Sequence, residues 1–194
     1  MATGYHSAAS AEVKEGDTVA VIGDGAVGLC GVIGARLRGA KRIILMSHHE
    51  DRAKLGREFG ATDIVSERGD DAIKKVMGLT NGVGVDAVQE CVGAVSAIEQ
   101  AGKIARPGAV IGRVGVPQTE PSSKTLFWKN IGLRGGIANV TTYDKNILLK
   151  AVLDGEINPG KVFTKRFDLD HIQEAYEAMD KHEAIKSLVI VADK

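Results

Sequence analysis

Three glycines placed after an apolar run are the residues whose type and spacing point most directly to chemistry. Val19-Ala20-Val21-Ile22 has the character of a strand, and Gly23-Asp24-Gly25-Ala26-Val27-Gly28-Leu29 follows it in a Gly-x-Gly-x-x-Gly pattern. Gly23 lets the chain turn tightly. Gly25, with no Cβ, lets an anionic group come close to the main chain, and Gly28 lets the next helix lie close to the sheet. The first N–H groups of that helix, around Ala26 and Val27, have no intrahelical partner and sit at the positive end of its dipole. A pyrophosphate supplies the missing acceptors, so this stretch is expected to bind a dinucleotide. The glycines alone would be a weak signal. The strand before them and the helix after them make it specific.

The next informative position is the one that meets the adenosine ribose. In a dinucleotide fold, an acidic residue about 20 positions beyond the last motif glycine bonds the ribose 2′-hydroxyl. Here Ser47 stands in that place, followed by His48, His49, Glu50, Asp51 and Arg52. A carboxylate there would repel a 2′-phosphate, whereas a serine hydroxyl with imidazoles and a guanidinium could hold one. The expectation is NADP(H) in preference to NAD(H). NAD(H) stays open, because His48, His49 and Arg52 could equally be solvated residues at a helix start. A metal site at His48-His49 is not expected. Adjacent side chains diverge, and no third ligand follows at helical spacing. His6, His171 and His182 are scattered and read as structural or solvated.

These groups need a scaffold to position them. Apolar runs suggest strands at 18–22, 42–46, 63–65, 85–89, 109–114 and 133–137, mostly continuous rather than alternating, as expected where both faces are covered. Helical periodicity lies between them, over 26–38, 50–59 (stopped by Gly60), 70–78 and 95–105, the last ending before Pro107-Gly108. A short helical segment is expected before Gly16-Asp17. Right-handed crossovers then give a doubly wound six-stranded parallel sheet of the Rossmann type. Beyond it come helices over 143–154 and 168–181, a short apolar piece at 162–167, and a strand pattern at 187–191 with no obvious neighbour. The organisation read from this is one dinucleotide-binding domain over 1–194, with a core at about 17–140 and a C-terminal extension at about 141–194.

In such sheets ligands bind outside the carboxyl ends of the strands. That rule brings Cys91, Val92 and Gly93, then Val114, Gly115 and Val116, and then Leu133 and Arg134 to the nicotinamide side, unless the valines are plain core residues. No residue set suited to general acid or base work on a substrate is visible, so no catalytic residue is assigned. The chain has 25 basic and 25 acidic residues, which gives no support to a nucleic-acid or membrane-surface partner. It contains no run of about 18 apolar residues. Two cysteines outside any Cys-x-x-Cys pair read as buried thiols of a reducing cytoplasm.

Together these residues resemble the medium-chain dehydrogenase/reductase superfamily, and within it the zinc-dependent alcohol dehydrogenases. The shared pieces are Thr3-Gly4-Tyr5-His6, the stretch Val21 to Leu29, Phe59-Gly60-Ala61-Thr62-Asp63, Gly82-Val83-Gly84-Val85-Asp86, Arg106-Pro107-Gly108, Val114-Gly115-Val116-Pro117 and Ile185-Lys186. The resemblance covers the cofactor half of that family and not its GroES-like catalytic barrel, which carries most of the zinc ligands. It implies Thr3 at the nicotinamide, Gly23 to Gly28 at the pyrophosphate and Ser47 to Arg52 at the adenosine. Cys91, Val92, Val114, Val116, Leu133 and Arg134 would line the nicotinamide side, and Lys186 would reach the pyrophosphate. It further implies hydride exchange with an alcohol, aldehyde or ketone in the parent, zinc held only by the other domain, an inactive isolated chain, and a homodimer joined through the edge near 133–137. Gly23 favours the zinc branch over the zinc-free quinone and enone reductases. Those reductases and a free-standing NADP-binding module are the competing readings.

Overall fold

The computed structural model of the chain describes residues 1–139 and 141–192. They fall into two compact units, Met1–Ile157 and Asn158–Lys194. The first contains helix α1 (Ala2–Ser10) and then alternates strand and helix: β1 (Thr18–Ile22), α2 (Ala26–Leu37), β2 (Arg42–Met46), α3 (Glu50–Phe59), β3 (Asp63–Val65), α4 (Gly69–Leu79), β4 (Val85–Glu90), α5 (Val95–Ile104), β5 (Ala105–Arg113), α6 (Ser123–Lys129), β6 (Gly132–Gly135) and α7 (Thr142–Leu153). The six strands are all parallel, in the order β3-β2-β1-β4-β5-β6. This is the doubly wound sheet expected from the strand spacing. Its reversal of order falls between β1 and β4, beside the glycine loop.

The middle strands are apolar because helices cover both faces of the sheet. Val19, Ala20, Val21, Ile43, Ile44, Leu45 and Val88 are buried almost completely. Helix α2 is buried nearly all round, and small residues let it approach its neighbours closely. A Cβ on Gly28 would stand 1.9 Å from the Gly23 carbonyl oxygen, and one on Gly31 would stand 2.7 Å from Gln89 Oε1. Helix α3 is its opposite, charged and amphipathic. It buries only Arg52, Gly56 and Phe59, and it ends where Gly60 adopts a left-handed φ of 117°.

Several boundaries differ from the sequence reading. Helix α1 ends at Ser10, well before Gly16. Strand β5 starts at Ala105, because Ala105 pairs with Val85 and a register shift between Val85 and Ala87 absorbs Pro107-Gly108. Strand β6 stops at Gly135 rather than at residue 137, since Gly135 and Gly136 both turn to positive φ. Helix α6 was not foreseen. At 7 residues it is too short to show a period, and it is held by the Ser122 hydroxyl accepting from Thr125 N. At its other end the Lys129 ammonium donates to the carbonyls of Gly102, Lys103 and Ala105, where α5 runs into β5. Burial pulls the Lys129 pKa below the usual lysine value.

The second unit holds a single 3₁₀ turn (Pro159–Val162), β7 (Phe163–Asp168), α8 (Ile172–Asp180) and β8 (Lys186–Ile190). The strand at the C-terminal end was expected to lack a neighbour. It has one, because β8 pairs in parallel with β7. The partner was hidden because Phe163–Asp168 carries Lys165, Arg166 and Asp168 among its few apolar residues, which obscures a strand pattern. Helix α8 begins at Ile172, after Asp168 has accepted from His171 N. No helix among the described residues is long and apolar enough to cross a membrane.

Candidate functional site

The glycine loop leaves β1 and turns into α2 at Gly23, whose φ is +106°. That conformation favours glycine, and a Cβ there would also meet Val92 Cγ2 at 2.6 Å and force that side chain to shift. Gly25 differs, because a Cβ built on it meets nothing within 4 Å. Its backbone (φ −74°, ψ 178°) suits any residue, and it supplies no side-chain cap to α2. The first turn of α2 carries no acidic residue either. The loop therefore presents main-chain N–H groups at a positive helix end to open space. That is the geometry a pyrophosphate needs, and the residues present fit the group.

Beside the loop lies a cavity of about 400 Å³. Ile22, Gly23 and Asp24 form one side, Met46 and His48 come from the end of β2, and Arg68 and Gly69 from the start of α4. Val92, Ser96, Ala97 and Gln100 close it from the end of β4 and from α5. Gly23, His48 and Val92 were expected here. Arg68, Ser96 and Gln100 were missed, although Arg68 follows the end of a parallel strand, where the strand-end rule would have found it. Thr3, Leu133 and Arg134 are not among the lining residues. Arg134, on β6, pairs with Glu12 at 2.6 Å. Lys186 stands on β8 of the second unit.

Asp24 had no role in the sequence reading, and it organises the contact between the glycine loop and the end of β2. Its Oδ2 accepts from Ser47 Oγ (2.9 Å) and His48 N (3.2 Å) and faces His49 Nδ1 at 2.8 Å, while Oδ1 faces Arg52 Nη1 at 3.4 Å. Burial works to raise the Asp24 pKa. The hydrogen bonds from His49 and Ser47, with the charges of His49 and Arg52, outweigh it and hold the carboxyl below its ordinary value. Ser47 is buried rather than open to the cavity. The signal available in sequence was a carboxylate inside the Gly-x-Gly-x-x-Gly loop, at the start of a helix expected to receive an anion.

The loops after β4 and β5 are locked together at main-chain level. A Cβ on Gly93 would lie 2.0 Å from Val116 O, and Gln118 N donates to Gly93 O at 2.9 Å. The fully buried Glu90 fixes this arrangement, accepting from Val92 N (2.8 Å) and Gly93 N (2.7 Å) through Oε1. These two main-chain bonds offset part of the cost of burying the polar carboxyl group. Val116 is exposed rather than part of the core, and Val114 is half-buried. Burial pushes the Cys91 thiol up to about 12, so it stays protonated near neutral pH and is no thiolate nucleophile.

The family model described as zinc-binding dehydrogenase matches residues 26–149, from the start of α2 into α7. The chain belongs to the zinc-binding dehydrogenase family. It is 32% identical over 181 residues to an alcohol dehydrogenase of Cupriavidus necator, covering 91% of this chain and 50% of that relative. It is 33% identical to an NADP-dependent isopropanol dehydrogenase of Clostridium beijerinckii, covering 98% and 57%. Among solved structures it is similar to the alcohol dehydrogenase TADH from Thermus sp. ATN1, with a TM-score of 0.88, 30% identity, and coverage of 98% of this chain and 56% of that one. This family member thus spans about half the length of the curated relatives it matches.

A Gly25→Val substitution tests the placement of the pyrophosphate. A Cβ at position 25 meets no protein atom within 4 Å and the backbone there suits any residue, so the circular-dichroism spectrum and melting temperature should stay close to those of the parent chain. Affinity for the dinucleotide, measured by calorimetry, should fall roughly a hundredfold, a loss of about 3 kcal/mol. Unchanged binding by a folded variant would place the cofactor elsewhere.

Proposed function

We propose that the chain is the nicotinamide-dinucleotide-binding half of a zinc-type alcohol dehydrogenase that prefers NADP(H). The observation that carries this reading is the open space over Gly25 at the uncapped start of α2, beside a cavity bounded by the ends of β1, β2 and β4. The bound cofactor would supply hydride exchange at nicotinamide C4 with an alcohol, aldehyde or ketone. The chain's own residues bind and orient it. Gly23 to Gly28 hold the pyrophosphate, and the surroundings of Ser47, His48, His49 and Arg52 hold the adenosine ribose. Cys91, Val92, Val114, Gly115 and Val116 face the nicotinamide, a side to which the family resemblance adds Thr3, Leu133 and Arg134. Preference for NADP(H) is supported by the lack of a carboxylate at position 47. It is also supported by likeness to a relative named as NADP-dependent.

Polarising the substrate oxygen falls to zinc held by ligands outside this chain. No group of three or more His, Cys, Asp or Glu that could hold a metal occurs among the described residues. The two free cysteines fit a reducing cytoplasm, which fractionation of the native protein would check. Strand β6 is one edge of the sheet, with Phe127, Trp128 and Ile137 exposed on α6 and beyond β6. An uncovered edge readily pairs with a copy of itself, which supports a homodimer.

Three measurements follow. Calorimetry at one salt concentration should give a lower Kd for NADP(H) than for NAD(H), and equal or tighter NAD(H) binding would overturn the preference. Sedimentation at micromolar concentration should show a dimer, and a monomer there would remove the edge-to-edge assembly. With NADP⁺ and short alcohols, the isolated chain should show no oxidation above background with or without zinc. Fusing the barrel domain of a full-length relative in cis should restore turnover. Turnover by this chain alone would mean the division of labour is wrong.

A further inference from the structure

The donors that the sequence assigns to a cofactor 2′-phosphate already hold an anion of the protein's own. Ser47 Oγ, His48 N, His49 Nδ1 and Arg52 Nη1 all converge on the Asp24 carboxylate. The Asp24 side chain is 13% exposed and that of Arg52 8%, so this pair is formed largely out of water. Asp24 arrives from the glycine loop, one residue after Gly23, and reaches the end of β2 because β1 and β2 are hydrogen-bonded neighbours, with Ile22 opposite Met46. A carboxylate thus stands beside position 47 although residue 47 itself is a serine.

We propose that Asp24 is a specificity-determining residue, a built-in competitor that occupies the subsite a 2′-phosphate would use. This rests on the dinucleotide-binding reading above. A 2′-phosphate entering the subsite must either displace the carboxylate from His49 and Arg52 or share them with it, and two anions in contact oppose each other. A plain ribose brings no charge, and its 2′-hydroxyl can donate to the same carboxylate. Asp24 therefore weakens binding of 2′-phosphorylated ligands selectively and limits how strongly the chain can prefer NADP(H). Removing its charge while keeping its shape should sharpen that preference.

The test uses two probes that differ only in the group at issue, adenosine 2′,5′-bisphosphate and adenosine 5′-monophosphate. Their affinities for the full chain and for Asp24→Asn are measured by calorimetry. The bisphosphate should bind the variant about tenfold more tightly than the parent chain, and the monophosphate should change by less than about threefold. The bisphosphate should also raise the melting temperature of Asp24→Asn by more than that of the parent chain, since it replaces the lost counter-charge of Arg52. An unchanged ratio of the two affinities, or one that shifts toward the monophosphate, overturns the assignment. If Asp24→Asn does not fold, nuclear magnetic resonance of the His49 imidazole in the parent chain decides. The ring should respond to the bisphosphate more strongly than to the monophosphate, and an equal response to the two or no response to the bisphosphate overturns the proposal. If neither nucleotide binds either protein, the dinucleotide reading itself falls. If both bind but their ratio stays fixed, only the role of Asp24 falls.

Discussion

The constraint on which the site depends is the distance between α2 and the turn that feeds it. With Gly28 beneath the Gly23 carbonyl, no side chain fits between the start of the helix and the exit of β1. Any Cβ at 28 would push α2 away from the sheet, and interiors packed to crystal density absorb such a shift poorly. The closeness fixes the start of α2, which has no side-chain cap, beside the loop. It also leaves Gly25 as the surface that an anion can approach. Gly31 repeats the device one turn on, where Gln89 Oε1 lies within reach of a Cβ. Ser7 Oγ contacts the same oxygen at 2.5 Å, so α1, α2 and β4 meet at a single buried polar point.

Around this fixed loop, two carboxylates do the positioning, the partly buried Asp24 and the fully buried Glu90. Asp24 ties the glycine loop to the end of β2, and Glu90 ties the end of β4 to its own following loop. Both are held by donors arranged in three dimensions, and both replace water with protein N–H or O–H groups. Their contexts differ. Asp24 is surrounded by groups that carry or can carry positive charge and so forms an electrostatic junction, whereas Glu90 binds neutral main-chain N–H groups and acts as a mechanical brace. One Glu90 oxygen, Oε2, is buried without a partner. The brace thus carries a desolvation cost that its two main-chain bonds must offset.

Much of the fold was legible because its signals are local. β1, β2, β3 and α3 lie where the sequence places them, residue for residue. Continuous apolar runs, glycine stops and regular spacing depend on nothing outside their own segments. Weaker local signals gave poorer boundaries. The α5–β5 junction has no intervening loop to mark it, α6 is a short helix, and β7 is a strand interrupted by charges.

By itself the sequence determined the strand-to-helix glycine loop, the parallel sheet and the place of Ser47 just past the end of β2. Each follows from residue type and period along a short stretch. Only the tertiary structure decided which charges meet. The order β3-β2-β1-β4-β5-β6 sets the end of β1 against the end of β2, and that contact brings Asp24 to Ser47, His49 and Arg52. The same is true of β8, whose partner β7 is found by hydrogen bonding across a helix rather than by any feature of its own residues. Period and propensity act along the chain, whereas ion pairs and strand pairing act between segments that the chain order alone does not rank by distance.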